Sequence, residues 1–206
     1  MIQGAPVYTI GHSTHPFAEF VALLRGSAIS AIADVRSAPY SRWQPQFNSR
    51  VLRKQLAEHD IAYVFLGAEL GGRGTDDSVF DQYGRVQYGL IANSPLFQEG
   101  LRRVQFGRMR MRLALMCTER DPIDCHRGLL ISRVLVAAGT DVLHIHTSGQ
   151  TETHRQAEQR LLEMAGLDHP NLFRAEEDLL AEAYDRQEAR VAYVRPTNTA
   201  TADRSL

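Results

Sequence analysis

Between Leu113 and Leu135 the chain passes from an apolar run ending at Cys117, through a polar turn, to Cys125-His126-Arg127 at the head of a second apolar run. A strand that stops at a polar turn and hands over to a helix is the repeating unit of α/β proteins. The arrangement also sets a thiol, an imidazole and a guanidinium where helix N–H groups and the helix dipole favour negative charge and depress a thiol pKa. A stretch of this kind builds anion-binding or nucleophilic sites.

The rest of the chain repeats the alternation, which predicts one α/β domain over residues 1–194 with a mostly parallel central sheet of about five strands and helices on both faces. Val7–Gly11, Ile29–Val35, Ile61–Leu66, Leu113–Met116 and Val142–His146 carry the strand patterns. The third has the continuous apolar character of a strand buried on both faces. Helices are expected over Phe17–Leu24, from a cap at Asn48 or Ser49 to Glu58, from Ser94-Pro95 to Gln105, over Cys125–Ala138 with Gly139 as its stop, and over 152–165 and 175–190. Gly67 to Asn93 holds six glycines among polar residues and is expected to be a long loop over the site, with a weak strand signal near Arg85 to Tyr88. From residue 195 the polar tail lacks apolar periodicity and is expected to be disordered.

A chain of 206 residues with 44% hydrophobic residues can bury a full core. Its net charge of -1 argues against a surface that binds nucleic acid or anionic membrane through bulk charge. Lys54 is the one lysine among 23 basic residues, so the cationic groups are almost all planar forks suited to phosphate or carboxylate. No window approaches a membrane span and no secretory leader is evident, so a cytoplasmic protein is expected. Two cysteines do not make a disulfide framework; reduced thiols follow.

In a parallel sheet the segments after the strands converge on one edge, where ligands of open α/β folds bind. The polar residues gather there: His12 and Ser13 after the first strand, Asp34 and Arg36 after the second, Gly71, Gly72 and Arg73 after the third, and Cys117, Glu119, Cys125, His126 and Arg127 after the fourth. Cys125 is the expected nucleophile, with His126 or His12 as acid or base. Glu119 and Asp34 are candidate bases or orienters of histidine. Arg36 and Arg127, with Arg73, are expected to hold an anion, helped by Ser13 and the N–H groups around Gly11, Gly71 and Gly72. Cys117 and Cys125 also bracket a seven-residue loop and could form a reversible disulfide. A zinc reading would join Cys117, Cys125, His126 and one of His12, His144 or His146. That spacing fits no short zinc motif, and neighbours on a helix point in different directions, so neither metal nor cofactor is expected.

Several of these segments, Tyr8-Thr9-Ile10-Gly11-His12-Ser13, Asp34-Val35-Arg36 with Pro39 and Ser41, Phe47-Asn48, Leu70-Gly71-Gly72, and Leu115-x-Cys117-x-Glu119 with Cys125-His126-Arg127, together resemble the domain of unknown function 488 family. The resemblance runs from about residue 7 to 146. It implies an α/β fold and a shared site made of these motifs; some relatives carry names linked to DNA repair.

Taken together, the residues point to an enzyme acting on a phosphorylated or other anionic small molecule, a nucleotide among the candidates. The alternative is a non-enzymatic binding or regulatory module. Tyr40, Trp43 and Phe47 could stack on a base. Arg102, Arg103, Arg108, Arg110 and Arg112 could form a basic strip facing nucleic acid, on the sheet edge opposite the proposed site.

Overall fold

The computed structural model describes residues 4–169 and 173–196. In chain order the elements are β1 (Val7–Gly11), α1 (Phe17–Gly26), β2 (Ala31–Asp34), α2 (Ser49–Ala57), β3 (Ala62–Phe65), α3 (Gly67–Leu70), α4 (Tyr88–Ala92), α5 (Pro95–Arg108), β4 (Leu113–Cys117), α6 (Arg133–Ala137), β5 (Val142–Ile145), β6 (Thr151–Thr153), α7 (His154–Ala165) and α8 (Glu176–Val191). One sheet runs in the order β3-β2-β4-β1-β5-β6. Its first five strands are parallel and β6 is antiparallel to β5.

The period of two along each strand divides the core into two apolar layers. Ile10, Ile32, Ala114 and Met116 face α1 and α2, whose Phe20, Leu24, Leu52 and Leu56 complete one layer. Val7, Ala31, Ala33, Leu113 and Leu115 face the opposite way, onto α5, α6, α7 and α8. Helices therefore cover both faces. The helix after β1 lies on one face and the helix after β4 on the other, which opens a crevice at the carboxyl ends of these neighbouring strands. The register places Gly11 beside Cys117 and Asp34 beside Met116, so three strands deliver their polar ends to that crevice.

The sheet has six strands rather than five. Glu152 and Thr153, expected at the head of a helix, pair with Thr151 against β5 before α7 begins. The Thr153 side chain then accepts from Gln156 N, and the Gln156 side chain returns to the Thr153 backbone, a capping box that fixes the start of α7. Ala62–Phe65 is an edge strand and only partly buried, because β2 alone pairs with it. The expected long loop contains α3 and α4, each under two turns and too short to show helical periodicity, and is held by bridges from Phe80 to Val86 and from Arg85 to Val194. Arg195, at the start of the expected tail, pairs with Asp77 and donates its N–H to Gly84 O; residues 197–206 lie outside the described ones.

The helix expected over Cys125–Ala138 starts later and is not uniform. Cys125 is extended (φ -144°, ψ 143°), ending a 3₁₀ turn over Pro122–Asp124. Arg127–Ser132 then forms a π-turn before α6. The Ser132 hydroxyl donates to Arg127 O at 2.6 Å, closing the widened turn. Gly128 sits where a Cβ would meet Pro122 O at 2.1 Å, so helix and preceding turn pack with no room for a side chain. Among the described residues no helix is long and apolar enough to cross a membrane.

Candidate active site

A cavity of about 220 Å³ opens at the carboxyl end of β4. Cys117, Glu119, Cys125 and His126 line it with Arg36, Ser37, Gly72, Arg73, Tyr88 and Tyr193. The backbone explains this convergence. Cys117 ends β4, Glu119 follows in the turn, and the extended conformation of Cys125 turns its thiol toward the side on which His126 projects. His126 Nδ1 stands 3.7 Å from Cys125 Sγ and 3.8 Å from Cys117 Sγ. Glu119 Oε2 lies 3.0 Å from Cys117 Sγ and 2.9 Å from Cys125 Sγ. The geometric ground for separating Cys125 from His126, two neighbours on one helix, is thus removed.

His126 is fixed on its far side. Its Nε2 lies 3.0 Å from Val35 O, the distance of an N–H donor, which leaves Nδ1 directed at the two sulfurs. A Cβ on Gly72 would stand 2.6 Å from His126 Cγ, so the Leu70-Gly71-Gly72 segment closes on the ring because Gly72 has none. Gly11 has the same kind of role: a Cβ there would meet Glu119 O at 1.8 Å. Both glycines thus permit close packing, and Gly72 also lines the cavity. Gly71 backs onto Ser37, outside the cavity lining.

Each of the four lining groups acts on the protonation of its neighbours. Burial, Cys125 and Glu119 push the Cys117 thiol up. Burial would raise Cys125 too, but the hydrogen bond from Cys117 and the charges of Arg127 and His126 outweigh it and hold this thiol well below its ordinary value. Burial works to lower His126, and the Cys125 sulfur overcomes it, so the imidazole is raised. Burial and the neighbouring Cys125 raise Glu119. These directions favour loss of the proton at Cys125 and its retention at Cys117, His126 and Glu119.

Behind this group Asp34 and Arg36 form a buried pair. Asp34 Oδ1 accepts from Arg36 Nε at 2.9 Å and Oδ2 from Nη2 at 2.6 Å. Tyr63 OH also donates to Asp34 at 2.8 Å. Arg36 Nη1 donates to His12 Nε2 at 3.2 Å, and His12 Nδ1 donates to Ser13 O. Burial, then the charge of Arg36, pushes His12 down to about 4, which makes it a neutral acceptor holding Arg36. His12 and Ser13 lie behind the cavity wall. Ser13 donates its N–H to Thr118 O from a left-handed conformation (φ 46°), bending the chain out of β1.

Arg127 departs most from expectation. Its guanidinium donates to Glu119 O at 2.6 Å and Arg120 O at 2.9 Å, it is 1% exposed, and it does not line the cavity. Residues Glu119 and Arg120 turn their carbonyls inward, and Arg127 satisfies them; the cation props the turn that carries Glu119. Of the expected anion-holding arginines, Arg36 and Arg73 reach the cavity.

The remaining candidates are placed elsewhere. His144 is buried between Thr9 Oγ1 and His154 Nδ1, and His146 pairs with Glu152. Arg102 and Arg103 pair with Glu99 and Glu69, Arg108 and Arg112 bind backbone carbonyls, and Arg110 stacks on Phe106, so each of the five has a partner within the protein. Tyr40 and Trp43 are exposed, whereas Phe47 is buried against His12. Among the residues not foreseen at the cavity are Tyr88 and Tyr193, brought in by the long connection and by the chain after α8; neither bears a local motif.

The sequence profile of the family described as "Domain of unknown function DUF488" matches residues 16–134. No curated protein and no solved structure matches the chain.

Proposed function

The chain belongs to the DUF488 family, and from that premise we propose that it is a thiol-dependent enzyme acting on a phosphorylated or other anionic small molecule, a transferase or hydrolase of the cytoplasm. The observation that carries this is the placing of Cys125 Sγ beside both His126 Nδ1 and Glu119 Oε2 on the floor of an open cavity reached by Arg36 and Arg73. The Cys125 thiolate attacks an electrophilic centre of the substrate; a sulfur bond forms as the bond to the leaving group breaks. Glu119, holding its proton above the usual carboxylate range, delivers it to the leaving group. Water or a second substrate then releases the bound group. His126 keeps the sulfur anionic, and Arg73, at the cavity rim over Tyr193, attracts the anion. Reduced thiols at the reaction centre suit a reducing compartment.

The test is the pH dependence of iodoacetamide labelling, followed separately for each cysteine in the metal-stripped protein. Cys125 is expected to label with a midpoint below the roughly 8.5 of a free thiol, and inorganic phosphate is expected to slow it. Labelling of both thiols only upon unfolding would make them core residues and refute the proposal.

A further inference from the structure

The thiol chemistry uses one sulfur, yet the cavity floor presents a fuller donor set. We propose that Cys117, Cys125 and His126 form a binding site for a thiophilic divalent cation of the zinc class, with Glu119 or an anionic ligand completing the coordination. The inference stands apart from the reaction proposed above and competes with it for Cys125.

Geometry is the first support. Cys117 Sγ, Cys125 Sγ and His126 Nδ1 all lie within 4.8 Å of one another, and both sulfurs are 3.7–3.8 Å from the nitrogen. In a tetrahedron with Zn–S of about 2.3 Å and Zn–N of about 2.0 Å, the sulfur-to-nitrogen edge is about 3.6 Å. The two sulfur-to-nitrogen edges are therefore already spaced for one ion, and the sulfur-to-sulfur edge, within 4.8 Å, has to reach the roughly 3.8 Å of such a tetrahedron.

Orientation is the second support, and it is independent of the first. A metal-binding imidazole characteristically donates its other N–H to a carbonyl or carboxylate, which fixes ring and tautomer. His126 Nε2 faces Val35 O at 3.0 Å, and the close approach of Gly72 keeps the ring from turning. The Arg127 N–H points at Cys125 Sγ from 3.5 Å, an amide contact that suits a sulfur carrying negative charge.

Two thiolates and an imidazole favour a borderline-soft ion over calcium or magnesium, which prefer oxygen. Glu119 Oε2, within 3.0 Å of both sulfurs, is a further donor at hand. His12, His144 and His146 are committed to Arg36, to Thr9 and His154, and to Glu152. Three fixed protein donors under an open cavity correspond to a site with an exchangeable position rather than a closed structural one.

Cobalt(II), added to the reduced, metal-stripped full chain, is the direct probe. One equivalent is expected to give a sulfur-to-cobalt charge-transfer band with intensified tetrahedral absorption, and zinc to displace it. The band should vanish in Cys117→Ser and Cys125→Ser and persist in His144→Gln; Glu119→Gln should keep the charge transfer while shifting the visible bands. Zinc should also slow iodoacetamide labelling of Cys125 by at least about tenfold. Absence of a charge-transfer band in the folded wild-type protein, checked by circular dichroism, overturns the cation site. Fast labelling of Cys125 with no band would leave the thiol enzyme standing and remove the cation site. A band with labelling only on unfolding would do the reverse.

Discussion

Two of the arginines expected to hold an anion differ sharply in exposure. Arg127 is enclosed and bound to two carbonyls, so its removal strands buried acceptors and leaves a void; Arg73 stands at the cavity rim. Arg127→Ala is expected to lose on the order of 3 kcal/mol in urea unfolding, whereas Arg73→Ala should leave stability within about 0.5 kcal/mol and weaken phosphate protection of Cys125. The opposite assignment, a stable Arg127→Ala with lost protection, would return Arg127 to the anion. At this scale the sequence revealed residue types better than roles. Cys117, Glu119, Cys125 and His126 were identifiable because strand ends in a parallel sheet share one edge. The turning of Arg127 away from the cavity depends on backbone angles that no spacing encodes, as does the packing role of Gly71 and Gly72.

At the scale of elements, the π-turn after His126 has the largest effect on the site. It begins directly after His126 and the extended Cys125, whose side chains both line the cavity. Ser132→Ala removes the hydroxyl that donates to Arg127 O from a fully buried position. A loss of about 1 kcal/mol is expected in chemical denaturation; an unchanged unfolding midpoint would show that the widened turn needs no such bond. The five parallel strands were legible because each is a short apolar run, and the longer helices because their periods repeat over several turns. β6, whose Thr151-Glu152-Thr153 is polar, and α3 and α4, which span too few residues to show a helical period, were not. The π-turn was hidden for a different reason: its apolar run has the composition of an ordinary helix.

For the molecule as a whole, a buried polar chain links the sheet to the last helix. Thr9 Oγ1 meets His144 Nδ1 at 2.8 Å, His144 Nε2 meets His154 Nδ1 at 3.0 Å, and His154 Nε2 meets Tyr184 OH at 2.9 Å. Glu158 closes it by accepting from Tyr184, with Glu152 and Arg133 supplying nearby charge. Burial pushes His154 down to about 4. Its unfolded counterpart protonates near 6.5, so below that pH the unfolded chain takes up a proton that the folded one refuses. The contribution of His154, present above 6.5, should fall as pH drops and cease falling near 4, at about 1.4 kcal/mol for each pH unit inside the window, on top of the parallel contribution of His12. His154→Gln, compared with the parent by urea unfolding across this range, should show the shallower slope; equal slopes would mean that His154 titrates alike in both states.

The strand order escaped the sequence altogether, since it depends on pairings between residues far apart in the chain. β1 lies in the interior of the sheet, with Tyr8 beside Ala114 and Val7 beside Val142. A ribosome would therefore release β1 first and its two partners more than a hundred residues later. In vivo the central strand must wait, apolar and unpaired, until most of the protein has been made. Translation speed between Gly11 and Leu113, and whatever shields a nascent strand in that interval, thus bear on how much of the chain reaches its native state.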